Sequence, residues 1–334
     1  MGKESSGSRG WGDPMRPDML RVRGSEVGLR ARQIRTLRDR AAATRVPRLA
    51  TRPPGAAPAP PPLHMPLDRP IVVVDTETAN LSGAPHLLEI GAVRVMGGEV
   101  IDSFETLIAP AIEVEPEATA IHGITNEDIR SAPLTHSAIQ RFTDWAGDDW
   151  LCAHNAGFDA RVFGFEQARS GIPLSSAPFL CTLKLARKFI PESPDHKLET
   201  LCQHLDLEDG THHRALADAV WCWQVLEECA DRAETSSAAE LLTHCGTPVT
   251  VPGFVPGPAR MKPRLRPLTE AVRNGDEVTL LYGGDSGAAA SLHVLPRLLY
   301  ERHKKSYLEA ECTRTGMLKT YLLDRIQKVV QQPV

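Results

Sequence analysis

IVVVDTET, residues 71–78, decides how this chain is read. The run Ile71–Val74 has the length and β-branched character of a buried strand. Asp75 and Glu77 fall at its end. Side chains alternate along a strand, so residues two apart share a face and both carboxylates point the same way. Two like charges at the edge of an apolar sheet raise each other's pKa unless a cation intervenes. The same letters also occur in ordinary strand-end turns, so this acid pair acquires meaning only from what accompanies it.

Outward from that strand, LLEIGAVRVM (87–96), the Gly97-Gly98 turn and EVIDSFETLI (99–108) read as an antiparallel hairpin. Helical patterns follow near 134–146, 157–169, 182–189, 197–205 and 214–231, with a short strand at 148–154. Strands first and αβ alternation afterwards predict an α/β domain over 70–232, one mixed sheet with helices packed on it. Residues 233–267 are Pro-rich and read as a linker. Beyond it, 268–331 holds one amphipathic helix (LTEAVRNG) and the alternating segments EVTLLYGG, SLHVLPRLLYER, KSYLEAEC and KTYLLDRI, the rhythm of a small twisted sheet or barrel. Residues 1–69 are basic and end in a polyproline-type stretch, and read as a disordered extension with one short helical pattern at 26–43.

Composition narrows the classes. The chain has 334 residues, 42% apolar, enough for two folded units with real cores. No apolar run approaches the roughly 18 residues of a membrane-spanning helix, so no membrane partner is expected. Seven cysteines, with no CxxC pair, argue against a disulfide framework or zinc knuckle and for a reducing, cytoplasmic setting. The net charge of −4 hides an asymmetry: residues 1–70 carry 14 basic and 6 acidic groups, leaving 24 basic and 36 acidic in the remainder. A nucleic-acid binder is not usually acidic over its folded part, but a metal-dependent enzyme with an acidic centre can be.

Three further positions bear on that centre. Asp159 follows the second strand in LCAHNAGFDARVF (151–163), near a helix start, with His154 and Asn155 on the turn before it. Asp218 lies in HRALADAVWCWQVL (213–226), five residues after His213. Five residues turn an ideal helix by about 140°, so His213 and Asp218 converge only if His213 stands on the loop before the helix. Singly these are ordinary residues for helix entries and solvent faces. Together they offer four carboxylates and an imidazole. Oxygen donors of this kind suit Mg²⁺ or Mn²⁺ and not zinc. Two such ions about 4 Å apart can activate water and stabilise a leaving phosphodiester oxygen. A histidine titrating near neutrality can take the proton.

These segments resemble the DEDDh exonuclease family, which includes the proofreading subunit of bacterial replicative DNA polymerase and RNase T. VVVDTETAN resembles its first motif, AHNAGFDARVF its second and HRALADA its third, with LLEIGAVRV, IHGITNEDI, CTLKLAR and HKLETLCQHLDL between them in order. The resemblance implies an RNase H-like fold and 3′→5′ hydrolysis of nucleic acid to nucleoside 5′-monophosphates, with two Mg²⁺ or Mn²⁺ ions. Asp75 would bridge both ions, Glu77 and Asp218 would complete one site, Asp159 would hold the other, and His213 would be the general base. His122, Asn155 and the main chain of Thr76 to Thr78 would position the substrate. The implied partners are single-stranded nucleic-acid 3′ ends, DNA ahead of RNA, and a DNA polymerase or repair complex.

The C-terminal segments VTLLYGG, HVLPRLLYER, SYLEAEC and YLLDRIQKV resemble a WYL domain, an SH3-like small barrel, with Ser306 where the signature has tryptophan. Arg302, Lys304 and Lys305 beside Tyr307 would suit phosphates and one stacked base, and Arg325 matches a position linked to anionic ligands. The alternatives are a nucleic-acid- or ligand-binding regulatory adaptor built on an exonuclease fold, or the proofreading partner of a polymerase.

Overall fold

The computed structural model describes residues 66–207, 214–283 and 289–331. The helical pattern at 26–43 and His213 lie outside them. β1 (Ile71–Thr78) pairs antiparallel with β2 (Leu87–Met96), which pairs antiparallel with β3 (Glu99–Leu107). On its other side β1 pairs parallel with β4 (Trp150–Ala153), and β4 with β5 (Phe179–Cys181). The order is β3-β2-β1-β4-β5, an RNase H-like mixed sheet flanked by helices, with β1 at its centre. Ile71 to Val74 are completely buried, as a central strand covered on both faces requires.

The helices are α1 (Pro116–His122), α2 (Thr135–Ala146), α3 (Gly157–Ser170), α4 (Thr182–Phe189), α5 (Leu198–His204), α6 (Ala215–Arg232) and α7 (Ala238–His244). In α2, Ala138, Ile139, Phe142 and Ala146 recur at helical spacing and are buried. Phe142 stacks on Phe163 of α3 with centroids 5.1 Å apart. α6 lies across β1 and β2 with Ala215, Ala219, Cys222 and Leu226 buried. No described helix is long and apolar enough to cross a membrane.

Two boundaries differ from the sequence reading. Order begins before residue 70: Leu67 is buried, and the Asp68 N–H donates to the Ser236 carbonyl. Nor do residues 233–267 run as an extended linker. They contain α7, capped by Ser237, a 3₁₀ turn at Val251–Phe254 and the two-residue strand β6 (Gly257–Pro258). The prolines mask the apolar residues responsible: Leu241, Cys245 and Val251 join the core of the first sheet.

The second sheet is antiparallel, in the order β10-β9-β8-β7-β11: β7 (Val278–Gly283), β8 (Ala289–Arg302), β9 (Lys305–Cys312), β10 (Leu318–Leu322) and β11 (Ile326–Gln331). β6 adds to β8. KTYLLDRI, expected as one strand, breaks at a 3₁₀ turn, Leu323–Arg325, that separates β10 from β11. Leu268 and Ala271 of α8 (Pro267–Asn274) pack with Leu280, Leu308, Ala310 and Ile326 into a separate core.

Candidate active site

β1 delivers two acids to one place. Asp75 and Glu77 are half-buried, while the alternate residues Thr76 and Thr78 are buried. Asp218 arrives from the first turn of α6, and ligand atoms of Asp75, Glu77 and Asp218 lie within 4.8 Å of one another. Asp159, in the first turn of α3, is buried beside them, its Oδ1 accepting from the Thr76 hydroxyl at 2.8 Å.

The approach of α6 has identifiable causes. Gly91 on β2 leaves room for the helix: a Cβ there would fall 2.0 Å from the Leu216 nitrogen. Glu89, the Cα partner of Glu77 across the hairpin, is fully buried. It accepts from Arg214 at 2.6 Å and from the Ala215 N–H at 3.0 Å, pinning the start of the helix that bears Asp218.

Clustering shifts the acids upward. Burial, then Asp159, Asp218 and Glu77, hold Asp75 well above the usual carboxylate range. Glu77 is pushed to about 8 by burial, Asp218, Glu89 and Asp159, against the pull of Arg214. Burial raises Asp159 to about 7, against the hydrogen bond from Thr76. Four mutually repelling carboxylates, with the Arg214 guanidinium committed to Glu89, are a site whose negative charge is left for a cation to meet. An all-oxygen set fits a hard divalent ion such as Mg²⁺ or Mn²⁺.

The remaining candidates fall in several places. His122 is buried, its Nδ1 accepting from the Ile124 N–H at 3.0 Å; that leaves Nε2 to donate to the Thr78 carbonyl at 3.3 Å. These contacts brace the backbone under the site. Asn155 is exposed in a left-handed turn, φ 64°, which asparagine tolerates. The adjacent His154 ring is held by Thr182 and the His196 carbonyl, and burial lowers it to about 4. In the second sheet, Tyr307 stacks on Tyr300 at 5.5 Å with the Arg302 guanidinium over its ring. Lys304 sits elsewhere, at the rim of a hollow of about 330 Å³ lined also by Arg260, Lys262 and Ser306. Ser306 and Tyr307 point to opposite faces of β9, and Lys304 lies on the turn between β8 and β9. Lys305 is exposed on β9, and Arg325 is exposed in the Leu323–Arg325 turn.

Sequence reasoning passed over residues that shape the site. Glu89 and Arg214 carry no local signature, because their pairing spans 125 residues. Beside Thr78, a small hollow is lined by Leu81, Ser82, Phe158 and Arg161. Its available signal was Phe158, a large apolar residue in a helix-entry turn where an exposed side chain is expected.

A central strand ending in acids, met by acids from two helix starts, gives an RNase H-like fold with a clustered carboxylate site. Residues 72–226 match the family model described as Exonuclease, and residues 263–331 match the model described as WYL domain. A DNA polymerase III PolC-type protein of Oceanobacillus iheyensis is 36% identical over 180 residues, covering 52% of this chain and 12% of that protein. Its counterpart in Bacillus cereus is 38% identical over 148 residues, covering 44% of this chain and 10% of that one. The chain thus spans about an eighth or less of the length of these relatives. Among solved structures, Exonuclease X in complex with 5′ overhanging duplex DNA resembles 53% of this chain and 99% of that chain, at 28% identity and a TM-score of 0.44.

Proposed function

We propose that the protein is a 3′→5′ exonuclease that hydrolyses phosphodiester bonds at single-stranded nucleic-acid 3′ ends, DNA ahead of RNA, releasing nucleoside 5′-monophosphates. The observation that carries this reading is the convergence of Asp75, Glu77 and Asp218 within 4.8 Å, with Asp159 tied to Thr76 beside them. In it, Asp75, Glu77, Asp218 and Asp159 would hold two divalent ions, Mg²⁺ or Mn²⁺, with Asp75 contributing to both. The ions, when bound, supply charge neutralisation at the phosphate and a lowered pKa for the attacking water. His213, two residues before α6 begins at Ala215, would take the attacking water's proton at its imidazole. Asn155 and the main chain of Thr76 to Thr78 hold the terminal nucleotide, and His122 supports them through the Thr78 carbonyl.

Similarity to PolC-type polymerases supports a DNA polymerase or repair complex as partner. Seven unpaired cysteines, six of them buried, support a cytoplasmic setting. Where the preceding segment meets the WYL domain, the hollow lined by Arg260, Lys262 and Lys304, cations that Glu301 and Asp324 only partly offset, supports an anionic ligand or nucleic acid as its occupant. That favours a second, regulatory role beside the nuclease.

The test is product analysis on matched 5′- and 3′-labelled oligonucleotides, DNA and RNA, with Mg²⁺, with Mn²⁺ and with EDTA. The reading requires mononucleotides released from the 3′ end, abolished by EDTA and by Asp75→Ala or Asp218→Ala. Most activity surviving in either variant overturns it.

A further inference from the structure

A buried ion cluster joins the WYL domain to the nuclease domain, in addition to the hydrogen bond from the Leu318 N–H to the Ala111 carbonyl at 2.9 Å. Glu309 of β9 is completely buried, and its two oxygens accept from Arg169 of α3, from Nε at 2.8 Å and Nη2 at 2.9 Å. The third arm of the guanidinium, Nη1, donates to Glu166 at 2.6 Å and to the Pro85 carbonyl at 2.7 Å. Glu166 in turn accepts from the Leu87 N–H at 3.2 Å. The groups on either side of His86 are therefore both tied to this cluster. Next to it, Ala84 is buried with Phe165 and Tyr300, whose rings meet edge-on at 5.3 Å.

On the nuclease side those contacts fall on α3, on the 79–86 loop between β1 and β2, and on Leu87 just after it. The loop's first end is secured within the nuclease domain, where Thr78 donates to the Asn80 carbonyl and the Leu81 N–H to Glu115, and Asn80 also ties the second end, accepting from the His86 N–H at 3.0 Å and donating to the Ala84 carbonyl at 2.9 Å. The tip between the two anchors, Leu81 to Gly83, forms one wall of the hollow beside Thr78; Phe158 and Arg161 of α3 form the other. The WYL domain thus touches the two elements that bound this hollow, the loop at Ala84 to His86 and α3 at Phe165 to Arg169.

We propose that Glu309 is a positioning residue for the nuclease site: through Arg169 it holds the 79–86 loop against α3 and so sets the hollow that takes the 3′-terminal nucleotide. This rests on the exonuclease reading for the identity of the occupant, but not for the fastening itself. Burial of a carboxylate–guanidinium–carboxylate group contributes little net stability, and apolar side chains would hold two domains together at least as well. What the bidentate geometry adds is a fixed distance and angle between β9, α3 and the Pro85 carbonyl. The WYL domain on this account is a working part of the nuclease groove and not a separately tethered module.

The test uses the full chain with Glu309→Gln, and with the triple variant Glu166→Gln/Arg169→Met/Glu309→Met, which removes all three charges and protects against a folding failure of the first. For a single-stranded oligonucleotide, KM should rise about tenfold while kcat stays within about threefold of wild type, the signature of lost substrate positioning. Amide hydrogen exchange over 79–86 should quicken about tenfold, with 71–74 unchanged. A folded variant whose KM and loop exchange both match wild type overturns the proposal, as does a fall in kcat with KM unchanged. Should the wild-type chain release no nucleotide, the exonuclease reading fails separately. Loop exchange then decides the fastening by itself: quickened exchange supports it and unchanged exchange overturns it.

Discussion

Glu89 and Arg214 form a clamp between the second strand and the helix that carries Asp218. The carboxylate is completely buried, and it satisfies both the guanidinium and the Ala215 N–H. A first-turn amide has no partner inside its own helix, so Glu89 also caps α6. Glu89→Ala would leave that amide unmet and Arg214 with only its longer ion pair to Glu105, at 3.7 Å. Because Arg214 is partly exposed, its loss of a partner is softened by water, and we expect a cost of about 2 kcal/mol. Nucleotide release should fall by about 10² or more, since α6 would no longer seat Asp218. Denaturant unfolding read together with turnover checks this. A stable variant with full turnover would remove Glu89 from the site's construction.

Gly91 is a stricter requirement. An added Cβ would meet backbone atoms of Ala215 and Leu216 at 2.0 to 2.4 Å, and backbone cannot swing aside as a flexible side chain can. Gly91→Ala therefore has to push α6 off β2. Overpacking of this kind costs about 3 kcal/mol or more, and it displaces Asp218 from Asp75 and Glu77. Both melting temperature and turnover should drop. Unchanged turnover would mean that α6 approaches the strand less closely than described.

These cases show what could be read from the letters and what could not. The strand Ile71–Thr78, the hairpin after it and α2, α3, α4 and α6 follow from apolar periodicity over eight to eighteen residues, while the seven-residue α5 follows from the HKLETLCQHLDL segment. The meeting of Asp75, Glu77, Asp159 and Asp218 was legible because motif order constrains it. The seven-residue helix Pro116–His122 is too short for periodicity to register; its only markers are Pro116 at the start and Gly123, with φ 74°, at the end. The prolines of 233–267 suggested a linker and hid α7. Tyr307 and Glu309 alternate with core Leu308 and Ala310, so the strand was evident, yet nothing local says that its outer face meets another domain. Pairs such as Arg169–Glu309, 140 residues apart, belong to tertiary structure alone.

Charge repulsion among the acids predicts an unusual pH dependence. Glu77 titrates near 4.5 when unfolded but at about 8 in the folded, metal-free protein. Between those values the folded state holds a proton that the unfolded chain has released. Stability must then fall as pH rises through that window. In EDTA, the melting temperature should decrease from about pH 5 to about pH 8. Saturating Mg²⁺ or Mn²⁺ should reverse that slope, since the ion takes the place of the protons. Glu77→Gln should raise the melting temperature in EDTA at pH 8 and flatten the profile, while cutting turnover by about 10² or more. A flat wild-type profile in EDTA would contradict the clustering.

The rim of the hollow beside Thr78 yields a prediction that separates binding from folding. Leu81 is 55% exposed and Phe158 39%, so neither contributes much to the core. Exposed apolar groups facing each other across a hollow next to the acids suit a base, which offers an apolar face of its own. Stacking on an aromatic ring is worth about 1–3 kcal/mol per base. Phe158→Ala should therefore raise KM for single-stranded substrate about fivefold to tenfold, and Leu81→Ala somewhat less, with kcat nearly unchanged. Truncation at such exposed positions should alter stability by no more than about 0.5 kcal/mol. Met96, 54% exposed at the opposite end of β2 from Glu89, is the control: Met96→Ala should leave KM at the wild-type value. Equal KM in the Phe158 and Met96 variants would show that the terminal base does not rest in this hollow.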